Sequence, residues 1–316
     1  MGRTSLRSKG LRLPHASAGA LQPSFERTRS PLYPARPIRI ALTACGPPWT
    51  GARPRSRNAW HWSKSSARAP SRTYGYRPEA HNALATELGT ALVETLRALK
   101  DDARCRVAVL GGRGPSFCAG ADIAVMKASA NASYDDNLLE AKQLAVMFAA
   151  LADFPKPLVG RVHGACYGGG VGFCCACDIV VASDDAKFGL TEVRLGILPA
   201  TISPYVIRRL GDRNARELML TGERFDAVTA QRYGVVNHVV PSTGLDAKVS
   251  ERVDELLKGA PHAQARVKEL LVRWTDMGWE EYRRSVPETL AHVRSGEEAK
   301  DGLAAFFEKR KPKWVE

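Results

Sequence analysis

The sequence predicts an α/β fold with a parallel sheet. Short β-branched runs at residues 106–110, 158–162 and 179–181 alternate with stretches of helical periodicity. Glycine-bearing loops follow strands at two places, 117–122 and 165–170. The body of the chain is balanced in charge: residues 1–74 carry 14 Lys/Arg and one acid, Glu26, which leaves 32 of the 46 basic and 32 of the 33 acidic residues for the rest. The net charge of +13 is therefore a property of the N-terminal segment. A nucleic-acid partner is not expected except through that tail.

Taken in order, residues 1–75 form a basic segment rich in Arg, Ser and Pro, with an apolar patch at 38–44 followed by Pro47-Pro48. Its composition fits an Arg-rich, acid-poor transit peptide, a disordered basic arm, or an upstream translation without structural role. The third is favoured, because Trp49, Trp60, Trp62 and two histidines occur there without pattern. The compartment expected is cytoplasmic, or mitochondrial if the segment is a transit peptide.

Residues 85–99 place Leu88, Leu92, Leu96 and Leu99 at helical spacing. A strand at 106–110 leads to the turn Gly111-Gly112-Arg113-Gly114-Pro115, and 116–123 reads as a loop entering a helix. A long helix over 135–151 stops before Lys156-Pro157, and a strand follows at 158–162. The stretch 164–192 then has a glycine run (Gly168, Gly169, Gly170), a small-residue apolar helix ending near Asp178, the strand Ile179-Val180-Val181, and a single acid, Glu192. From Arg208 onward the pattern is helical, interrupted by a strand at 235–240. The last helices cover 245–257, 262–274, 280–293 and 297–309. This helical end suggests an added subdomain or an assembly surface.

No apolar run approaches the roughly 18 residues of a membrane helix, so no membrane association is expected. Six of the seven cysteines lie in the body, and Cys174 and Cys177 form a lone C-x-x-C in apolar surroundings. No second pair completes a zinc pattern, and small buried residues suit these positions. A Walker loop, a G-x-G-x-x-G pattern and H-E-x-x-H are all missing, and Gly114-Pro115-Ser116-Phe117-Cys118 ends on Cys where G-x-S-x-G needs Gly. No metal or redox cofactor is expected. A lone histidine, His163, reads as structural. The two glycine loops could each present a backbone N–H at a helix start, and two such donors on one oxygen make an oxyanion hole. By spacing alone, tight turns and close packing are the favoured explanation of the glycines.

Several linked motifs decide between these readings. Arg77-Pro78-Glu79-Ala80-His81-Asn82-Ala83-Leu84, Phe117-Cys118-Ala119-Gly120-Ala121-Asp122, the glycine run through Asp178, and Phe188 to Pro199 stand in the order found in the enoyl-CoA hydratase/isomerase (crotonase) family. The chain resembles that family over residues 76–314. Within it, Leu195 to Tyr205 and Leu220 to Asp226 look like the bacterial methylglutaconyl-CoA hydratases of leucine breakdown.

The resemblance implies a crotonase-like spiral of β-β-α turns over 76–255 and a helical C-terminal trimerisation region over 256–316, in a homotrimer or hexamer. It implies an acyl-CoA thioester as substrate, coenzyme A entering with it and no other cofactor. Ala121 and Gly169 are then the two oxyanion donors and Glu192 the acid/base. Ala119, Asp122, Gly168 and Gly172 would line the substrate, and Phe306 and Lys309 would meet the adenine and phosphates of coenzyme A. Two departures stand out. The typical hydratase has a second glutamate where this chain has Gly172, a change that suits a Δ3,Δ2-enoyl-CoA isomerase as well as a one-glutamate hydratase. The family's first strands are also missing or replaced before Arg77. Besides hydration and isomerisation, a non-catalytic acyl-CoA-binding or RNA-binding protein is the remaining alternative.

Overall fold

The structure, a computed structural model, describes residues 41–45 and 77–315. The readings made above for residues 1–40 and 46–76 lie outside them. Five strands form one sheet in the order β1 (Ala41–Cys45), β2 (Val107–Gly111), β4 (Leu158–Val162), β6 (Ile179–Ser183), β9 (His238–Val240). All neighbours are parallel except β1, which pairs antiparallel with β2. A second sheet has the order β3 (Ser116–Cys118), β5 (Ala165–Tyr167), β7 (Lys187–Gly189), β8 (Arg224–Asp226), parallel but for β8.

Ten α-helices are described: α1 (Thr86–Asp101), α2 (Ile123–Ser129), α3 (Tyr134–Ala152), α4 (Gly169–Ala176), α5 (Ser203–Thr221), α6 (Ala227–Arg232), α7 (Leu245–Leu257), α8 (Pro261–Asp276), α9 (Trp279–Ser295) and α10 (Glu297–Glu308). The chain order explains the two sheets. β2, β4 and β6 each give a strand to the first sheet, and β3, β5 and β7 follow directly into the second, before a helix returns the chain. This is the spiral of β-β-α turns that the sequence led us to expect.

Strands β2, β4 and β6 of the first sheet are buried on both faces, which is why they read as continuous apolar runs. Ala108 and Leu110 of β2 join the main core with Leu92, Phe148 and Val180; Val107 and Val109 face a second cluster with Val159, Val181 and the α7 residues Leu245, Val249 and Val253. Helix α1 buries Leu92, Leu96 and Leu99, as its spacing predicts, and packs on α3. Helix α4 is short and glycine-bearing, yet all residues from Gly170 to Ala176 are buried. Glycine inside a helix costs about 1 kcal/mol relative to alanine; here close approach to neighbours offsets it. Among α8, α9 and α10, only Ala305 is fully buried.

The structure differs from the sequence reading in four places. The segment 116–123 begins with a strand, β3, before its loop, and β5, β7 and β8 are likewise three-residue strands. Helix α5 starts at Ser203 rather than Arg208, with Pro204 in its first turn, and is kinked at Gly211. The strand read at 235–240 is confined to His238–Val240. A strand from the basic segment, Ala41–Cys45, supplies the sheet edge beside β2.

Candidate active site

The site grows from the C-terminal ends of three parallel strands. β3, β5 and β7 lie side by side, with Cys118 opposite Cys166 and Cys166 opposite Phe188. Ala121 and Gly169 each stand three residues beyond the paired Cys118 and Cys166, so the loops leaving β3 and β5 run out together. Glu192 stands three residues beyond Gly189 of β7, in a 3-10 turn over Thr191–Leu195.

Two glycines make this junction possible. Gly168 has φ +52, and a Cβ there would lie 2.9 Å from Oε1 of Glu192. Gly120 has φ +100, and its missing Cβ would lie 3.4 Å from the Tyr167 carbonyl oxygen. Both positions need a left-handed backbone that other residues rarely adopt, and both bring backbone against a neighbour.

The amides at the junction are sorted by their partners. Ala119 N–H donates to His81 O (3.0 Å), Asp122 N–H to Leu84 O (2.9 Å), and Gly168 N–H to Gly189 O (2.8 Å). Leu84 N–H donates to Gly120 O at 2.7 Å, which completes a parallel bridge between Leu84 and Ala121. Ala121 N–H and Gly169 N–H donate to nothing among the described residues. In a ladder, alternate residues turn their amides to opposite sides, so the bonds of Gly120 and Asp122 to Leu84 turn Ala121 N–H away from it. Gly169 opens α4, where the first-turn N–H groups lack intrahelical acceptors and carry the positive end of the helix dipole.

Glu192 is half-buried. Burial pushes its carboxyl above the ordinary range, opposed only in part by its own backbone amide. Oε2 is inaccessible and has no hydrogen-bond partner among the described residues. A carboxyl held in this way takes up a proton more readily than an ordinary glutamate and can serve as an acid/base.

The remaining wall is apolar. A Cβ on Gly169 would overlap Cδ1 of Leu84, and one on Gly172 would overlap Ile202 and come within 2.9 Å of Phe148 Cε1. Leu84, Phe148 and Ile202 are all buried. Gly172 itself is buried one turn into α4, and hydrocarbon from Ile202 and Phe148 fills the space a side chain there would need.

Of the other residues singled out in the sequence, Asp122 is buried and its carboxylate is engaged: it pairs with Arg77 and accepts from Ala124 N–H at the start of α2 (2.7 Å). Ala119 and Gly168 lie in the junction with their amides already bonded. Phe306 and Lys309 stand exposed at the C-terminal end of α10 and make no hydrogen bond to segments 119–122 or 168–172 among the described residues. The reading from sequence missed the parts played by Leu84, Ile202 and the Arg77–Asp122 pair. Arg77 and Leu84 lie within the quoted motif, but nothing local ties them to 120–122.

The thiols of Cys105, Cys118, Cys166, Cys174, Cys175 and Cys177 are all buried. Burial pushes Cys105 up to about 11 and Cys118 up to about 12. Cys174 lies 3.5 Å from Cys166, sulfur to sulfur, inside the core behind Gly170. These are packing residues, as their apolar flanks predict.

Known proteins share this arrangement of sequence and fold. Residues 76–316 match the family described as enoyl-CoA hydratase/isomerase. A putative enoyl-CoA hydratase of Thermus thermophilus is 35% identical over 237 residues, covering 75% of this chain and 94% of that one. A carnitinyl-CoA dehydratase of Proteus mirabilis is 35% identical over 246 residues, covering 75% and 92%. The crystal structure of an enoyl-CoA hydratase from Shewanella pealeana superposes with a TM-score of 0.72 at 38% identity, covering 75% of this chain and 89% of that chain.

Proposed function

Because the chain belongs to the enoyl-CoA hydratase/isomerase family, we propose that it adds water to a 2-enoyl-CoA thioester, with Ala121 and Gly169 as oxyanion donors and Glu192 as the proton carrier. The observation that carries this reading is the junction itself: two amides at the ends of β3 and β5 without partners among the described residues, beside a half-buried carboxyl with a raised affinity for protons.

The thioester carbonyl oxygen accepts from the two N–H groups. Glu192, as carboxylate, takes a proton from water while the water oxygen bonds to the β-carbon. The π electrons of the double bond move toward the thioester, and the negative charge collects on the carbonyl oxygen. The protonated Glu192 then delivers its proton to the α-carbon, which regenerates the carbonyl and the carboxylate. Donors fixed by the fold stabilise the enolate more than the ground-state carbonyl, so they lower the barrier rather than merely binding substrate. Apolar walls at Leu84, Phe148 and Ile202 strengthen that electrostatic effect by keeping the local dielectric low.

The packing at Gly172 favours a second reading on equal chemistry. One carboxylate can also carry a proton between the α- and γ-carbons, as a Δ3,Δ2-enoyl-CoA isomerase requires. The hydratase is placed first because the relatives named above are a hydratase and a dehydratase of CoA thioesters. For the acyl group, the motif at 195–205 supports a branched, carboxylated chain such as 3-methylglutaconyl. Exposed Leu271, Trp274, Trp279 and Leu290 on α8 and α9 support assembly through the C-terminal helices, as a trimer or hexamer. Exposed Phe306 and Lys309 are the proposed contacts to the adenine and phosphates of coenzyme A, with Ala119, Asp122, Gly168 and Gly172 lining the acyl end. No helix among the described residues is long and apolar enough to cross a membrane, and the compartment proposed is the cytoplasm.

The test is spectroscopic. The full chain is supplied with 2-enoyl-CoA and 3-enoyl-CoA thioesters, 3-methylglutaconyl-CoA among them. Hydration removes the absorbance of the conjugated thioester, whereas isomerisation of the 3-enoyl substrate creates it. Loss of absorbance with the 2-enoyl substrates supports hydration; a gain with the 3-enoyl substrates alone supports the isomerase.

A further inference from the structure

Arg77 and Asp122 are 45 residues apart in sequence, and their side chains form an ion pair at the edge of the site. Asp122 is 6% exposed. Arg77 opens a turn in which Ala80 N–H and Asn82 N–H both donate to its carbonyl at 2.9 Å. The chain then runs through His81 and Leu84, whose backbones bond Ala119, Gly120 and Asp122. Turn, ladder and ion pair together close a ring of contacts around one peptide unit, that of Ala121, whose N–H is turned away from Leu84 and has no partner among the described residues.

From this closure we infer that Arg77 is a positioning residue for the Ala121 amide: its guanidinium holds Asp122, and through Asp122 the direction in which Ala121 N–H points. The inference rests on the functional reading above and adds to it a residue outside the proposed set of substrate contacts. Three features support it. The ladder bonds alone fix Gly120 and Asp122 only in line with Leu84, while the side chain of Asp122 fixes the rotation of the peptide about that line. The same carboxylate caps α2 through Ala124 N–H, so one of its oxygens is committed to the backbone of α2 and the other to the Arg77 guanidinium. Burial works to raise the Asp122 carboxyl, but the Ala124 amide and the Arg77 guanidinium outweigh it and hold it below the ordinary range. The charged form of Asp122, which pairs with Arg77, is thereby favoured.

Donors in an oxyanion hole act through placement, and a small rotation weakens them without removing them. Loss of Arg77 should therefore lower turnover while leaving thioester binding nearly intact. The experiment measures kcat and KM of the full chain for a 2-enoyl-CoA thioester in wild type, Arg77→Ala, Asp122→Asn and the double variant. Low-millimolar guanidinium chloride is added in one arm, and sodium chloride at the same ionic strength in the other. Asp122→Asn keeps an oxygen to cap α2 while removing the charge, so it reports on the pair even if Arg77→Ala folds poorly.

The expected result is a fall in kcat of about tenfold or more, short of the ~10²–10³ that deleting an oxyanion donor costs. KM of Arg77→Ala should change less than about twofold, its kcat should recover with guanidinium but not sodium, and the double variant should be no worse than the poorer single one. Wild-type kcat in Arg77→Ala or Asp122→Asn, or losses that add in the double variant and ignore guanidinium, would overturn the inference. Glu192→Gln assayed alongside separates two kinds of failure. Full turnover there overturns the functional reading and this inference with it; a dead Glu192→Gln beside an unchanged Arg77→Ala overturns only the role of Arg77.

Discussion

Glu192 leans into the space that a side chain on Gly168 would occupy: a Cβ there would lie 2.9 Å from Oε1. The glycine that lets the chain turn into α4 also admits the carboxyl to the junction. Backbone conformation and acid placement are thus one requirement at this point.

Gly168→Ala is accordingly expected to fail twice. The left-handed backbone at φ +52 costs a non-glycine residue about 1–3 kcal/mol, and the new methyl pushes Glu192 aside. Denaturant unfolding should show a loss in that range, and turnover should fall further than stability alone explains. A variant with normal stability and normal turnover would disprove this coupling.

The pH profile follows from the burial of Glu192. The carboxylate is the form that takes a proton from water, and burial raises its pKa. The rate should therefore fall as pH drops, with the acid limb lying above the pH at which an ordinary glutamate titrates. Initial-rate measurements of kcat/KM across pH locate that limb. A limb at the ordinary glutamate value would mean that Glu192 is solvated in the working enzyme.

The same shift has a consequence for stability. A carboxyl whose folded pKa is raised favours the fold while protonated, and that contribution is lost as pH rises through the folded value. Glu192→Gln, which stays neutral, should thus be more stable than wild type at neutral pH. The difference should shrink toward pH values below the ordinary glutamate range, where both are uncharged. Thermal melts of the two proteins at neutral and acid pH test the sign.

Gly172 and Ile202 form a packed pair that excludes a second acid. Gly172→Glu should be destabilised by overpacking, typically about 1–3 kcal/mol, with burial of its charge adding to the cost. Ile202→Gly opens a cavity on its own, yet it should partly rescue Gly172→Glu. A double-mutant cycle on unfolding free energy should therefore show favourable coupling. Simple additivity would mean that the two residues do not compete for the same space.

The large sheet was legible because β2, β4 and β6 are five-residue apolar strands buried on both faces, and an uninterrupted β-branched run needs no alternation to be seen. The small sheet was not. Its strands are three residues long, too short for a period of two to declare itself, and Gly189 at the end of β7 reads as a turn. In the site, the stretch 164–192 stood out because a glycine run and a lone acid bracket a buried helix, while the roles of Gly169 and Glu192 came from the resemblance to the family. Ile202 gave no signal, since an apolar residue near a helix start is ordinary until its neighbour proves to be Gly172. The Arg77–Asp122 pair and the Leu84–Ala121 bridge were equally silent, because each joins segments that only the register of the small sheet brings together.

The most direct measurement is the turnover of Glu192→Gln on a 2-enoyl-CoA thioester, with thioester binding followed in parallel. The two amides remain in place in this variant, so binding should be close to wild type. Turnover should fall by about 10²–10⁴, the usual share of a general acid/base. Turnover near wild type, in a variant that binds and folds normally, would contradict the assignment of proton transfer to Glu192.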